Sequence, residues 1–140
     1  MKLHPIAAHS QAGFSLIELL VTMAIIAILS GFAVPSYIDY LRRGAVEEAV
    51  AALATGKVVA EQYYLDHQTF AGFACPSATS KFTFQCDGKA IGYVITAVGS
   101  GNVEGFYYTV DQADARTSGS NGEWGANASC WIQRKGQICP

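Results

Sequence analysis

An apolar run of 21 residues, numbers 14–34, constrains this chain more than any other feature of its sequence. As a helix rising about 1.5 Å per residue, the run spans about 30 Å, which is the thickness of a bilayer's hydrocarbon core. It contains a single charged residue, Glu18. A charged side chain in a membrane-spanning helix costs about 2.5 to 3.5 kcal/mol on insertion scales and normally has a function. The run therefore predicts one membrane-spanning helix with a carboxylate that needs an explanation.

An ordinary secretory signal peptide does not explain this N-terminus. Such peptides have about 7 to 15 apolar residues followed by a small-residue cleavage site, whereas this run is longer and is interrupted by Glu18. A plain membrane anchor agrees with the length and hydropathy but leaves Glu18 unexplained. Lys2 lies before the run, and Arg42 and Arg43 lie after it. The basic residues therefore do not fix the orientation of the helix.

All four cysteines, Cys75, Cys86, Cys130 and Cys139, follow the apolar run. An even number in a small domain predicts two disulfides and an oxidising compartment, which places the preceding leader in the cytoplasm. Three pairings are possible, and Cys75–Cys86 with Cys130–Cys139 is favoured because each bond closes a short loop. Zinc is the competing explanation. It is disfavoured because no spacing matches a zinc knuckle and His67 is the one histidine in this region, so no metal or other cofactor is expected.

The motif GFSLIEL, Gly13 to Leu19, followed by an apolar run that ends near Pro35, resembles the N-terminus of type IV pilins. The related pseudopilins of type II secretion share this motif. A weaker resemblance, to a subgroup of minor pilins with two cysteine pairs, extends through PSYIDYLRRG, EQYYLDHQTFAG and CWIQRKGQIC. The resemblance implies an α+β fold in which a long N-terminal helix packs against an antiparallel sheet.

The resemblance also implies how the chain is processed and divided. A prepilin peptidase cuts between Gly13 and Phe14 and methylates the new amine of Phe14. Glu18 then neutralises that amine in a neighbouring subunit, because opposite charges attract strongly in a low-dielectric environment. The implied divisions are a leader at 1–13, a transmembrane and filament-core helix half at 14–35, an amphipathic helix half at 36–66, and a globular β domain with a C-terminal disulfide loop at 67–140.

The partners implied are other pilin subunits, the peptidase, the inner-membrane assembly machinery and, before assembly, membrane lipid. The implied location is the bacterial inner membrane before assembly, with a single span and the C-terminal domain in the periplasm, and the extracellular pilus afterwards. The formal net charge is −2, which gives no support for a nucleic-acid partner and does not exclude one.

Helical periodicity continues past the membrane to about Leu65. Apolar and small residues recur every three or four positions and form one face: Val46, Ala49, Val50, Leu53, Gly56, Val59, Ala60 and Tyr63. Gly31 and Pro35 interrupt the pattern, and the proline predicts a kink. The alternative is that residues 31–35 melt when subunits pack in a filament, with helical density lost around Ala33.

After Phe70 the sequence changes to short β-rich segments. The segments KFTFQC, YVITAV, FYYTV and CWIQR predict about four antiparallel strands laid across the helix. Asp87-Gly88 predicts the turn of the first hairpin. The residues predicted to face the helix are Phe82, Phe84, Tyr93, Ile95, Phe106 and Tyr108.

Two surface features are candidate contacts. The segment TSGSNGEWGANA, residues 117–128, predicts an exposed loop in which Trp124 either contacts a partner or folds back over the sheet edge. In pilins the C-terminal cysteine loop faces outward and mediates contacts. Arg134 and Lys135, in the turn of that loop, are therefore candidate contacts, or simply solvated charges.

The sequence gives no support for an enzyme. His67 is the one imidazole base after the leader, and no phosphate loop, paired-carboxylate signature or metal cluster is present. The favoured hypothesis is a structural subunit of a type IV pilus, most like a minor pilin. The alternatives are a pseudopilin of type II secretion and a membrane-anchored module that binds DNA or a surface ligand. A role in motility, adhesion or DNA uptake stays open.

Overall fold

A computed structural model describes residues 13–139 of the chain, so most of the predicted leader lies outside the described residues. A long helix, α1, comes first and an antiparallel sheet of five strands follows, in the spatial order β1-β2-β3-β4-β5. A short 3₁₀ helix, Gly101–Val103, lies between β2 and β3. The element bounds are Leu16–His67 for α1, Phe82–Gly88 for β1, Tyr93–Gly99 for β2, Tyr107–Asp111 for β3, Arg116–Gly119 for β4 and Ala126–Asn127 for β5.

The helix α1 has 52 residues and is α-helical throughout, including residues 31–35. Ser15 precedes it and caps its N-terminus, since the Glu18 amide donates to the Ser15 hydroxyl at 3.2 Å. The structure divides after Ser36 into two compact units. The second half of α1 therefore belongs to the same unit as the sheet.

In the second unit, one face of α1 packs against the sheet. Five residues of the predicted stripe are buried there, namely Val46, Ala49, Leu53, Gly56 and Ala60. The other three, Val50, Val59 and Tyr63, are half-buried. Ala45, which the prediction did not include, is buried as well. Gly56 permits the closest approach, because a Cβ atom at this position would lie 2.6 Å from Cγ of Pro76. On the sheet side, five of the six residues predicted to face the helix are buried, and Phe84 is half-buried.

The prediction of about four strands was incomplete, and one of the four was wrong. Cys130 to Arg134 is not a strand, whereas the predicted loop 117–128 contains most of β4 and all of β5. The physical reason is the buried hydroxyl of Ser118. It donates to the Cys130 carbonyl at 2.9 Å and accepts from the Ile132 amide at 3.0 Å. A side chain thus satisfies backbone groups that a neighbouring strand would otherwise pair.

The first hairpin is also longer than predicted. Asp87 and Gly88 are the last two residues of β1 and pair with Val94 and Tyr93. The loop is residues 89–92, and the Lys89 amide donates to the Gly92 carbonyl at 2.8 Å. Gly88 serves a different purpose. A Cβ atom there would lie 2.2 Å from the carbonyl oxygen of Phe70, so the chain after α1 can cross β1 only at a glycine.

Candidate functional site

The N-terminal residues that the sequence singles out are all accessible. Gly13 and Phe14 precede the helix, and Phe14 is 79% exposed. Glu18 is exposed in the first turn of α1, and its carboxylate has no hydrogen-bond or salt-bridge partner among residues 13–139. The first half of α1 is long and apolar enough to cross a membrane, and its large apolar side chains are exposed.

The structure joins Cys75 to Cys86 and Cys130 to Cys139, with Cα atoms 5.7 Å and 6.1 Å apart. Both separations lie in the usual range for disulfides. The first bond ties the segment after α1 to β1. The second closes the C-terminal loop, residues 131–138. Of the three possible pairings, this is the one in which the bonds close the shortest loops.

The base of the C-terminal loop is anchored in the core. The Tyr108 hydroxyl donates to the Ile132 carbonyl at 2.7 Å, and its burial raises the pKa of Tyr108. The indole of Trp131 donates to the Thr109 carbonyl at 2.7 Å. The guanidinium carbon of Arg116 lies 4.7 Å from the centre of that indole. Two hydrogen bonds and the contact with Arg116 therefore fix this end of the loop.

The tip of the loop is open to solvent. The Gln137 amide donates to the Arg134 carbonyl at 3.2 Å and closes a turn. Arg134 and Lys135 are both exposed in this turn. The fixed base and exposed tip place these two cations where a partner can reach them.

Trp124 is buried in the domain. It is only 6% exposed, and its ring packs edge-on against Phe106 with centroids 5.0 Å apart. Its backbone amide donates to the Ser120 hydroxyl at 2.8 Å. Of the two alternatives, the ring folding back into the domain is the one observed. The physical reason is the apolar pocket at Phe106, which removes most of the indole from water.

Arg42 has a role that the sequence did not predict. Its Nε donates to the Asn102 carbonyl at 2.7 Å, and its guanidinium forms a salt bridge with Glu123. It therefore links α1 to the 3₁₀ helix and to the loop between β4 and β5. The sequence does not predict these contacts, because no local pattern relates residues so far apart in the chain.

Two cavities open beside α1 in the second unit. The larger, which we call the α1 groove, encloses about 760 Å³, and the smaller, beside the C-terminal loop, about 430 Å³. Arg43 and Glu47 line both. The α1 groove is lined by Tyr40, Leu41, Arg43, Gly44, Ala45, Glu47, Glu48, Ser80, Lys81 and Asn102. The smaller cavity adds Gln133, Arg134, Gln137 and Ile138.

The described residues contain no group of three or more histidine, cysteine, aspartate or glutamate side chains that could hold a metal ion. His67 stacks on Tyr63 with ring centroids 4.0 Å apart, and its Nδ1 lies 3.0 Å from the Tyr63 carbonyl oxygen. It thus occupies a structural position at the end of α1.

Two protein-family models match the chain. The prokaryotic N-terminal methylation motif matches residues 8–34, which cover Gly13, Phe14 and Glu18. The model "Type IV minor pilin ComP, DNA uptake sequence receptor" matches residues 35–125. This chain belongs to that family of type IV minor pilins. The family is one of pilin subunits and not of enzymes.

Curated relatives of this pilin are pilins as well. The type IV major pilin protein PilE1 of Neisseria gonorrhoeae is 38% identical over 93 residues, which are 62% of this chain and 52% of that protein. A fimbrial protein of Pseudomonas aeruginosa is 40% identical over 70 residues, which are 50% of this chain and 46% of that protein. The pilin thus spans about half the length of these relatives.

A solved structure shares the fold. The crystal structure of the non-core minor pilin PilV of Neisseria meningitidis aligns with a TM-score of 0.55 over 60% of this chain and 92% of that one. The sequence identity is 14%, so the match supports the fold alone. It agrees with a long helix packed against an antiparallel sheet, as the sequence predicted.

Proposed function

We propose that this chain is a minor pilin of a type IV pilus, made as a membrane-anchored prepilin with a leader at residues 1–13. In this proposal the leader is cut off after Gly13, the amine of Phe14 is methylated, and Glu18 directs assembly into the filament. The observation that carries the proposal is an exposed apolar helix with a single carboxylate, in the segment that matches the methylation motif.

None of the other described residues buries the apolar side chains of this exposed helix. Contiguous exposed apolar surface of this extent marks a membrane or protein interaction site. Lipid covers it before assembly, and the corresponding helices of other pilins cover it in the filament. The helix half at residues 14–35 therefore forms the filament core in this proposal.

Glu18 determines how those helices align. An unpaired carboxylate in an apolar environment is costly, and an opposite charge offsets that cost. The new amine of Phe14 in a neighbouring subunit is such a charge. Pairing between subunits fixes the axial offset of one helix against the next, because only one offset brings the two charges together.

The test compares Glu18→Ala with Thr22→Ala in cells that assemble pili. Thr22 is the matched control, since it is a polar residue one turn further along α1 whose hydroxyl bonds within the helix, to the Leu19 carbonyl at 2.9 Å. We expect Glu18→Ala to remain in the membrane fraction and to disappear from sheared filaments, and Thr22→Ala to assemble normally. Normal incorporation of Glu18→Ala would contradict the assembly role.

DNA binding is a second candidate function, because the model that matches residues 35–125 describes a DNA uptake sequence receptor. In this candidate, Arg43 and Arg134, which line the smaller cavity, and Lys135 beside them would contact phosphates. Each phosphate neutralised by a cation releases counterions, so binding of this kind weakens as salt rises.

Electrophoretic mobility shifts of a labelled DNA duplex, measured across a salt series, test this candidate. We expect Arg134→Ala with Lys135→Ala to weaken binding and to flatten its salt dependence by about one to two phosphate contacts. Lys89→Ala, which removes one exposed cation of the hairpin loop 89–92, is the control and should bind normally. Equal binding by all three proteins would exclude the C-terminal loop as the DNA contact.

A further inference from the structure

The α1 groove is close to the apolar run along the chain. Type IV pilins are anchored in a membrane before assembly, and the first half of α1 is apolar and long enough for this. The first residue that lines the groove, Tyr40, is six positions after Val34, where the apolar run ends. Six residues span about 9 Å as a helix and at most about 20 Å when fully extended. The covalent chain therefore keeps this end of the groove near the lipid headgroups, whose layer is about 5 to 8 Å thick.

An exposed apolar strip on α1 leads into the groove. Tyr37 and Tyr40 are 62% and 72% exposed, and Leu41 is 43% exposed. Together with Gly44 they recur every three or four positions, so they lie on one face of the helix. Tyrosine is enriched at membrane–water interfaces, because its apolar ring carries a polar hydroxyl. This face is therefore suited to the boundary between lipid chains and headgroups.

The wall of the groove that does not come from α1 is fixed by hydrogen bonds. The Arg42 Nε donates to the Asn102 carbonyl at 2.7 Å, and the Ser100 amide donates to the Lys81 carbonyl at 2.9 Å. The groove encloses about 760 Å³, which is in the range of pockets that hold small ligands. It is therefore formed before any ligand enters.

The groove carries charges of both signs. Arg43 and Lys81 are its cations, and Glu47 and Glu48 are its carboxylates. Neither Lys81 nor Glu47 has a salt-bridge partner among residues 13–139. The two carboxylates repel a simple anion, whereas a ligand with one charge of each sign is attracted by both pairs. The charge pattern thus favours a zwitterion, and a phospholipid headgroup is the zwitterion that a membrane anchor brings to this position.

We propose that the α1 groove binds a zwitterionic phospholipid headgroup whose cation is a primary ammonium, as in phosphatidylethanolamine. The phosphate accepts hydrogen bonds from Lys81 and Arg43, and the ammonium donates to Glu47. A primary ammonium has N–H groups for such a charge-assisted bond, whereas the quaternary cation of phosphatidylcholine has none. Tyr37 and Tyr40 lie at the level where the acyl chains begin. The inference rests on the membrane anchor in the proposed function, and not on cleavage, methylation or assembly.

Photo-cross-linking to lipid tests the site on the unmodified chain. The full-length chain is reconstituted in phosphatidylcholine vesicles with a small fraction of one probe lipid, which carries a diazirine on its acyl chain next to the glycerol. The probes have ethanolamine, choline or glycerol headgroups. Mass spectrometry then gives the yield of adducts at residues 40–48 relative to residues 14–34, which contact lipid without selection. We expect this ratio to be about three- to tenfold higher for phosphatidylethanolamine than for the other two probes, as for one or two exposed charge contacts.

Two substitutions with different effects identify the groove as the site. Lys81→Gln removes a phosphate contact, so it should lower the ratio for phosphatidylethanolamine and for phosphatidylglycerol. Glu47→Gln removes an attraction for the ammonium and a repulsion for an anionic headgroup. It should therefore lower the ratio for phosphatidylethanolamine and raise it for phosphatidylglycerol. The controls are Lys89→Gln and Asp66→Asn, an exposed cation and an exposed carboxylate outside the groove, which should change neither ratio.

Three results would overturn the inference. Equal ratios from the three probes would mean that the groove selects no headgroup, and a higher ratio for phosphatidylglycerol would mean that it binds a simple anion. A preference for phosphatidylethanolamine that survives both Lys81→Gln and Glu47→Gln would place the contact elsewhere. The vesicles contain no assembly machinery, so failure of the assembly role of Glu18 leaves these results unchanged. A chain that does not enter the vesicles would contradict the membrane anchor and the inference with it.

Discussion

At the scale of single residues, two glycines of α1 that look alike in the sequence have opposite surroundings. Gly56 faces the core, where a Cβ atom would lie 2.6 Å from Cγ of Pro76 and 3.1 Å from Cδ1 of Ile95. Gly44 faces the open groove. Both are helix-interior glycines, which cost about 0.5 to 1 kcal/mol relative to alanine when nothing else requires them. Packing therefore decides which of them can be replaced.

We expect Gly56→Ala to lower the free energy of unfolding by about 1 to 3 kcal/mol, because overpacking a core forces its neighbours to move. Gly44→Ala should raise it by up to about 1 kcal/mol, because it adds helix propensity without a clash. Denaturant unfolding of the full-length chain in detergent, followed by near-ultraviolet circular dichroism, measures both changes. Equal effects of the two substitutions would show that the close approach of Pro76 is unimportant.

Asp114 makes stability depend on pH. Hydrogen bonds from Lys57 and Arg116 lower the pKa of its carboxyl below the usual 3.8. A pKa that is lower in the folded state than in the unfolded state stabilises the fold at pH values above the unfolded-state pKa. This contribution is lost as pH falls through the folded-state pKa. Asp114 has a backbone φ of 60°, which asparagine also adopts readily.

Asp114→Asn should therefore be less stable than the wild type at neutral pH. The difference should shrink below about pH 4, where the unfolded-state carboxyl takes up a proton while the folded-state carboxyl is still ionised. Thermal unfolding of both proteins between pH 2 and pH 7 gives this comparison. A difference that does not change with pH would mean that the charge of Asp114 contributes nothing.

At the scale of elements, a side chain takes the place of a strand at the end of the sheet. The Ser118 hydroxyl in β4 holds the Cys130 and Ile132 backbone, and the Tyr108 hydroxyl in β3 holds the Ile132 carbonyl. The C-terminal disulfide then closes a loop whose base is already fixed. The position of Arg134 and Lys135 thus depends on a buried serine as well as on the disulfide.

We expect Ser118→Ala to destabilise the fold by about 1 to 3 kcal/mol, because it leaves the buried Ile132 amide without a partner. Ser100→Ala, which removes an exposed hydroxyl bonded to the Lys81 carbonyl, should change stability far less. Hydrogen exchange of the Ile132 amide should accelerate in Ser118→Ala alone. Unchanged exchange at Ile132 would show that another group protects it.

At the scale of the whole molecule, the two units differ in what stabilises them. The second unit buries one face of α1 against its own sheet, while the described part of the first unit exposes apolar side chains from Phe14 to Val34. Helix is the conformation that satisfies backbone groups in lipid without outside partners. In a filament, contacts with other pilin helices replace lipid. The backbone around Gly31 and Pro35 then no longer has to be helical to satisfy its polar groups.

The helix around Gly31 and Pro35 is continuous in the isolated chain. We expect residues 31–35 to lose helical structure in the filament, because proline lacks one backbone donor and glycine favours the unfolded backbone. A filament density map that resolves Ala33 measures this directly. Continuous helical density there would contradict the prediction, and Pro35 would then account for no more than a bend.

The sequence by itself determined the features that depend on neighbouring residues. The apolar run with Glu18, the stripe from Val46 to Ala60 and most of the inward-facing strand residues are patterns of composition and period, which short stretches of chain carry on their own. These patterns were sufficient to predict α1 and most of the core, and to identify the family resemblance.

Only the tertiary structure decided the contacts between distant parts of the chain. It buried Trp124 against Phe106, and it tied Arg42 to Asn102 and Glu123. It also placed a segment bonded to the Ser118 hydroxyl where the sequence predicted a strand beginning at Cys130. The physical reason is that burial and hydrogen bonding depend on which surfaces meet in space, and residues that are 60 or 81 positions apart carry no local pattern that relates them.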